Sequence, residues 1–178
     1  MHAAFAVEAI ARYLEENLVD LRPNGDDGSE REITVYRFNL PDPAPAQMTG
    51  VETDTADTYE GMMPAIVVSP ISYEDKALED GSSILTISIM AGAFSRDPKN
   101  VHGPWAVVNM LERIRRLLLT YRLVDEMYEI VDPLSWQLYD ESYKPLWFGE
   151  LTTQWRILNP IRIDADDWKG DFLKEGDV

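Results

Sequence analysis

The segment from about Pro104 to Tyr121 places the strongest constraint on how this chain can fold. Its apolar residues, among them Val107, Leu111 and Ile114, recur at steps of three and four and so form one stripe of a helix. Pro104 suits the first helical turn, where its missing N–H donor costs nothing. A helix with one apolar stripe must bury that stripe against another layer, so the chain is expected to build a packed core.

A second amphipathic helix is predicted from Ala4 to Leu21, where Val7, Leu14 and Leu18 fall on one stripe. It is expected to end before Pro23. Several apolar or alternating runs predict strands; they are Glu32–Phe38, Met63–Pro70, Ser82–Phe94, Met127–Val131, Leu134–Tyr139 and Trp147–Leu158. The order of these elements predicts the α+β class, with a mostly antiparallel sheet of four to five strands and both helices on one face.

A single domain is predicted over residues 1–160, with an acidic C-terminal arm at 161–178. Residues 40–61 are rich in Pro, Thr and acidic residues and are expected to form a long acidic loop, which a compact domain keeps either for binding or because a partner orders it. The arm contains six acidic residues, and Trp168 and Phe172 could anchor it.

The net charge of −16 argues against a protein that binds nucleic acid, because the acidic chain would repel the phosphates. The chain has no Cys, which excludes disulfides and thiolate metal sites. Its longest apolar runs are far below the roughly 18 residues that suggest a membrane span. The N-terminus lacks a positively charged leader, so we expect the protein to remain where it is made.

Residues 103–122 carry a net charge of +3 and are the one basic segment of the acidic chain. Arg113 and Arg116 lie opposite the apolar stripe. They could pair with Glu112 or nearby loops on an ordinary exposed face. Alternatively, they could meet an acidic surface on a neighbouring copy and direct self-assembly.

Aromatic residues are concentrated towards the end of the domain, where Trp147 and Phe148 follow Lys144-Pro145-Leu146 at the start of a predicted strand. Most of these aromatics are expected to be core residues. Trp147 and Phe148 could instead be interface anchors.

Signatures of catalysis and ligand binding are weak. Neither His2 nor His102 lies in a recognisable catalytic motif, and the ten glycines form no phosphate-binding loop. The acidic clusters at 52–60 and 164–167 could supply oxygen ligands for Ca²⁺ or Mg²⁺, but neither fits a known loop spacing. We therefore expect a protein that is not an enzyme and that has no cofactor and no metal.

The order of elements resembles the tail terminator, or tail completion, family of tailed bacteriophages. The resemblance covers about residues 62–158 and is carried by four segments, which are MMPAIVVSP, SSILTISIMAGAFSRDPKN, WAVVNMLERIRRLLLTY and PLSWQLYDESYKPLWFGELTTQWRI. It implies a structural virion protein, assembled in the host cytoplasm, that forms a ring, usually of six copies.

In that family the ring caps the head-proximal end of the tail tube and stops its polymerisation. Its expected partners are the tail tube protein and the head-tail connector or neck protein, and the genome DNA passes through the ring without specific binding. An acidic inner surface of the ring would suit the passage of DNA, because that surface would repel the DNA phosphates. Two alternatives stay open: another small neck or tail protein, such as an adaptor, a tube subunit or a contractile-apparatus cap, and a soluble metal-dependent enzyme or binding module.

Overall fold

A computed structural model describes residues 2–23, 29–42, 59–76, 82–97, 99, 101–139 and 144–158. Eight elements follow one another in these ranges; they are α1 (His2–Asn17), β1 (Thr34–Arg37), β2 (Ala65–Lys76), β3 (Ser82–Phe94), α2 (His102–Thr120), β4 (Leu123–Val124), β5 (Tyr128–Leu138) and β6 (Leu146–Leu158). Residues 43–58 of the predicted acidic loop and the whole of the arm at 161–178 lie outside the described residues.

The strands form one six-stranded sheet in the order β1-β2-β3-β6-β5-β4. Four of its five pairings are antiparallel, whereas β1 and β2 run parallel. The α+β class is confirmed. The prediction of four to five antiparallel strands is wrong in detail, because the sheet has six strands and is mixed.

The strand β5 also differs from its prediction. Its two halves were expected to be separate strands divided by Asp132-Pro133, but the chain continues through the proline with a register shift between Val131 and Ser135. Pro133 is compatible with this position because β4 pairs only with Tyr128 and Glu129, which leaves this part of β5 at the sheet edge.

Both helices pack against the same apolar cluster, as the sequence predicted. The helix α2 contacts β3, β5 and β6, while α1 contacts β1 and β2 at one edge of the sheet and β4 at the other. An ion pair of 2.5 Å between Arg12 of α1 and Asp125, after β4, joins α1 to that second edge. The sheet is therefore curled, so that one helix touches both of its ends.

The two helices differ slightly from their predicted bounds. Val7, Leu14 and Leu18 are buried as expected, but Ala4 is exposed and α1 ends at Asn17. The helix α2 begins at His102, just before Pro104, and buries Val107, Leu111 and Ile114.

The start of α2 is held by two local features. The carboxylate of Asp97 accepts hydrogen bonds from the backbone N–H groups of Lys99, Val101 and His102. These bonds stabilise the carboxylate and lower the pKa of Asp97. Gly103 lets the first turn lie directly on the ring of Trp147, since a Cβ there would be 2.1 Å from Trp147 Cδ1. Together they position the basic helix against β6.

Neither described helix is both long and apolar enough to cross a membrane.

Candidate interaction surfaces

The outward face of α2 carries three arginines that differ in their partners. Arg113 donates to Asp20, after α1, at 2.8 Å. Arg115 donates to Glu112 one turn earlier at 3.2 Å. The side chain of Arg116 is exposed and has no ion-pair partner within the described residues.

The pairing of the other arginines makes Arg116 unusual. Ten arginines lie in the described ranges, and eight of them form an ion pair there; these are Arg12, Arg22, Arg31, Arg37, Arg96, Arg113, Arg115 and Arg156. Arg116 and Arg122 are the remaining two, and they lie six positions apart at the C-terminal end of α2. Both side chains are exposed, and neither forms an ion pair within the described residues.

The same end of the molecule exposes apolar side chains. Tyr121, Leu123 and Met127 are 62%, 51% and 47% exposed, respectively, within a stretch of seven residues. Arg122 lies between Tyr121 and Leu123, directly after the end of α2. Asp125, in the adjoining turn, is paired with Arg12 at 2.5 Å.

Trp147 and Phe148 do not lie with the arginines. Trp147 is only 5% exposed and donates from Nε1 to the carbonyl oxygen of Ser95 at 3.4 Å. Phe148 points to the opposite side of the sheet, where it packs half-buried on Met63 and Phe94. Both rings therefore serve packing inside the subunit, and the anchor role suggested for them stays a prediction.

A polar cluster lies on the sheet face that the helices leave uncovered. The carboxylate of Glu150 accepts hydrogen bonds from the hydroxyl groups of Ser88 and Tyr139 and from Nε2 of Gln137. The bond from Ser88, followed by that from Tyr139, lowers the pKa of Glu150, while the bond to Glu150 and burial raise the pKa of Tyr139. The cluster keeps the carboxylate ionised and the phenol protonated, so Glu150 is poorly suited to act as a general acid.

The described residues offer little support for a metal site or for a catalytic histidine. No group of three or more His, Asp or Glu side chains that could hold a metal ion occurs among the described residues. The ring of His102 is exposed and lies 3.9 Å from Asp97 at the start of α2. The acidic clusters at 52–60 and 164–167 lie outside the described ranges, apart from Tyr59 and Glu60.

Sequence reasoning missed three features of these surfaces. Trp105 is 61% exposed and could have been found, because it lies half a helical turn from the buried stripe of α2. Arg122 lies beyond the end of α2, so helical periodicity could not predict the exposure of its side chain. The Glu150–Tyr139 contact joins two strands through their register, which alternation within one strand does not reveal.

No protein-family model matches the chain, and no curated protein matches it either.

Proposed function

We propose that this protein is a tail-terminator-like subunit that assembles into a ring at the head-proximal end of a phage tail tube. The ring would stop polymerisation of the tube and offer a surface to the head-side connector, while DNA passes through its centre. The proposal rests on the sequence resemblance over residues 62–158 and on the charge distribution of the subunit.

The observation that carries the self-assembly part is the unpaired guanidinium of Arg116 on the exposed face of α2. Arg113 and Arg115 have their carboxylates within the subunit, so Arg116 is the arginine of this helix that is available to a neighbour. A basic face on one side and a strongly acidic remainder favour a head-to-tail contact. Repeated rotation about such a contact closes a ring.

The chemical features of the subunit are compatible with a structural role. Most of the buried apolar side chains lie in one cluster that the sheet shares with both helices. On the open face, hydrogen bonds from Ser88 and Tyr139 lower the pKa of Glu150, which is compatible with a stabilising surface network.

The test is the mass distribution of the purified protein at tens of micromolar, measured by sedimentation at low and high salt, with and without a tail tube protein. We expect a discrete ring species that weakens as salt screens the charges. Arg116→Glu should dissociate the ring, because it places a carboxylate against an acidic neighbour. Arg22→Glu is the matched control, since Arg22 is similarly exposed but paired with Glu32.

Electron micrographs of tube ends should show the ring on capped tubes. A strictly monomeric protein under all conditions, with tubes that grow without limit in its presence, would refute the proposal. A ring unaffected by Arg116→Glu would refute the role of Arg116 alone.

A further inference from the structure

The outward side of α2 forms one continuous surface. The exposed residues of this helix recur at steps of three and four, which places them along one side of it; they are His102, Trp105, Asn109, Arg113, Arg116 and Thr120. We call these six residues the outer stripe. Trp105 and Arg116 are three helical turns apart, so they lie about 16 Å from each other along the axis and about 20° around it.

Trp105 differs from the other tryptophans of the described ranges. Its side chain is 61% exposed. The indole N–H groups of Trp136, Trp147 and Trp155 each donate a hydrogen bond inside the subunit. The indole N–H of Trp105 has no acceptor within the described residues. A large exposed ring with a free donor is typical of a side chain that anchors an interface.

The outer stripe also carries one positive charge that the subunit does not balance. Arg113 is paired with Asp20. Glu112, beside the stripe, accepts hydrogen bonds from Arg115 and Trp136. Arg116 has no ion pair within the described part of the chain. The stripe therefore offers a partner an aromatic ring, an indole donor and a guanidinium group on one helix.

A second copy of the chain carries the complementary charge. Five exposed carboxylates have no ion pair within the described ranges; they are Glu16, Glu30, Asp42, Glu126 and Asp132. One of these acidic residues, Glu126, is followed by Met127, whose side chain is 47% exposed. Copies of this acidic chain therefore present both carboxylates and apolar side chains to a basic aromatic stripe.

We propose that the outer stripe of α2 docks on an acidic surface of a neighbouring copy, with Trp105 as its apolar anchor and Arg116 as its charged contact. The inference rests on the self-assembly part of the proposed function and adds the surface and the anchor. Trp105 is expected to contribute more affinity than Arg116, because tryptophans are enriched at interface hot spots whereas exposed ion pairs contribute little.

The first test measures self-association of the full chain by sedimentation over a wide range of protein concentration. Trp105→Ala should weaken association by about tenfold or more. Phe5→Ala is the matched control and should leave association unchanged, since Phe5 is an equally exposed aromatic residue on α1, at 61%. Trp105→Phe keeps an apolar ring without the indole donor, so its association should fall between that of the parent and that of Trp105→Ala.

A second measurement keeps the tryptophan in place. Fluorinated tryptophan is incorporated into the full chain, and the ¹⁹F signal of Trp105 is assigned as the one that Trp105→Phe removes. We expect the chemical shift of this signal to change as protein concentration rises at low salt. The signal of Trp155, which is fully buried, should keep its chemical shift. Arg116→Gln should reduce the change for Trp105 at the same concentration.

The results distinguish this inference from the proposed function. Equal association of Trp105→Ala and Phe5→Ala, or a Trp105 signal that is independent of concentration, would overturn the inference. A Trp105 signal that changes only on addition of a tail tube protein would assign the stripe to that protein and would also overturn it. A ring that caps tubes and is insensitive to Trp105→Ala would leave only the proposed function. Copies that associate through the stripe but never cap tubes would support the inference and refute the proposed function.

Discussion

Gly103 in the first turn of α2 allows a quantitative test of how the basic helix is positioned. In Gly103→Ala the new Cβ would lie 2.1 Å from Trp147 Cδ1 and 2.4 Å from Trp147 Nε1. Carbon atoms in contact are about 3.5–4.0 Å apart, so the ring or the helical turn must move by more than about 1 Å. The ring cannot move freely, because Trp147 is buried and bonded to the carbonyl oxygen of Ser95.

Two opposing effects determine the expected magnitude. Overpacking of a well-packed core costs about 1–3 kcal/mol. The better helix propensity of Ala over Gly returns at most about 1 kcal/mol. We therefore expect Gly103→Ala to lower the free energy of unfolding by about 1–2 kcal/mol, which corresponds to a fall in Tm of about 2–8 °C for a domain of this size.

The assay is urea unfolding followed by tryptophan fluorescence, with the m-value expected to stay unchanged. Gly61→Ala is the matched control and should be nearly neutral, since no atom lies within 4 Å of a Cβ at Gly61. In a Trp147→Leu background the clash is absent, so Gly103→Ala should cost less there by about 1 kcal/mol or more. A neutral Gly103→Ala variant, or an equal cost in both backgrounds, would show that α2 does not rest on Trp147 as described.

Three further changes have expected outcomes. Glu126 has a φ of 57° in the turn between β4 and β5, so Glu126→Gly should raise the free energy of unfolding by about 1 kcal/mol in urea titrations. Arg37 bonds to Glu15 and lowers the pKa of that carboxyl group, so Arg37→Gln should cost no more than about 1 kcal/mol at neutral pH. Because the folded pKa of Glu15 is depressed, this difference should shrink as pH falls below the ordinary glutamate value of about 4.3, which unfolding curves at several pH values would measure. The hydrogen bond to Glu150 is the main cause of the raised pKa of Tyr139, so Glu150→Gln should return that pKa towards about 10 in a spectroscopic titration of tyrosinate.

Each of these changes has a control within the chain. Glu126→Ala removes the same side chain but keeps a Cβ at a positive φ, so it should not stabilise the folded protein. Arg156→Gln breaks one exposed pair, with Glu129 at 3.0 Å, and should cost less at neutral pH than Arg37→Gln, since Arg37 pairs with both Glu8 and Glu15. Glu129→Gln should leave the pKa of Tyr139 unchanged. Equal results for a variant and its control would contradict the contact in question.

The core of the fold could be predicted from local patterns. The buried stripe of α2 follows from residue spacing alone, and the alternation in Ser82–Phe94 correctly indicates the central strand β3, whose Leu85, Ile87 and Ile89 are buried. The division of β5 was mispredicted because Pro133 normally interrupts a ladder, whereas an edge position tolerates it. The strand β4 has two residues and is too short for any periodic signal.

The surface contacts were less predictable, because the residues that form them are distant from each other in sequence. Helical phase indicates that Arg113 and Arg116 are both exposed, yet only the folded chain brings Asp20 to Arg113 across 93 positions. Trp147 resembles a surface anchor when only its place at a strand start is considered. Its burial depends on Gly103, which lies more than forty residues earlier and leaves room for the ring.

The contact of α1 with both edges of the curled sheet also has a consequence for synthesis. The helix leaves the ribosome before the strands that it contacts, and Asp125, which Arg12 contacts, follows 113 residues later. At about 5–20 residues per second, α1 waits several seconds for its last partner. Its apolar stripe stays without a complete binding site during that time, so α1 is expected to be among the last elements to reach its final packing.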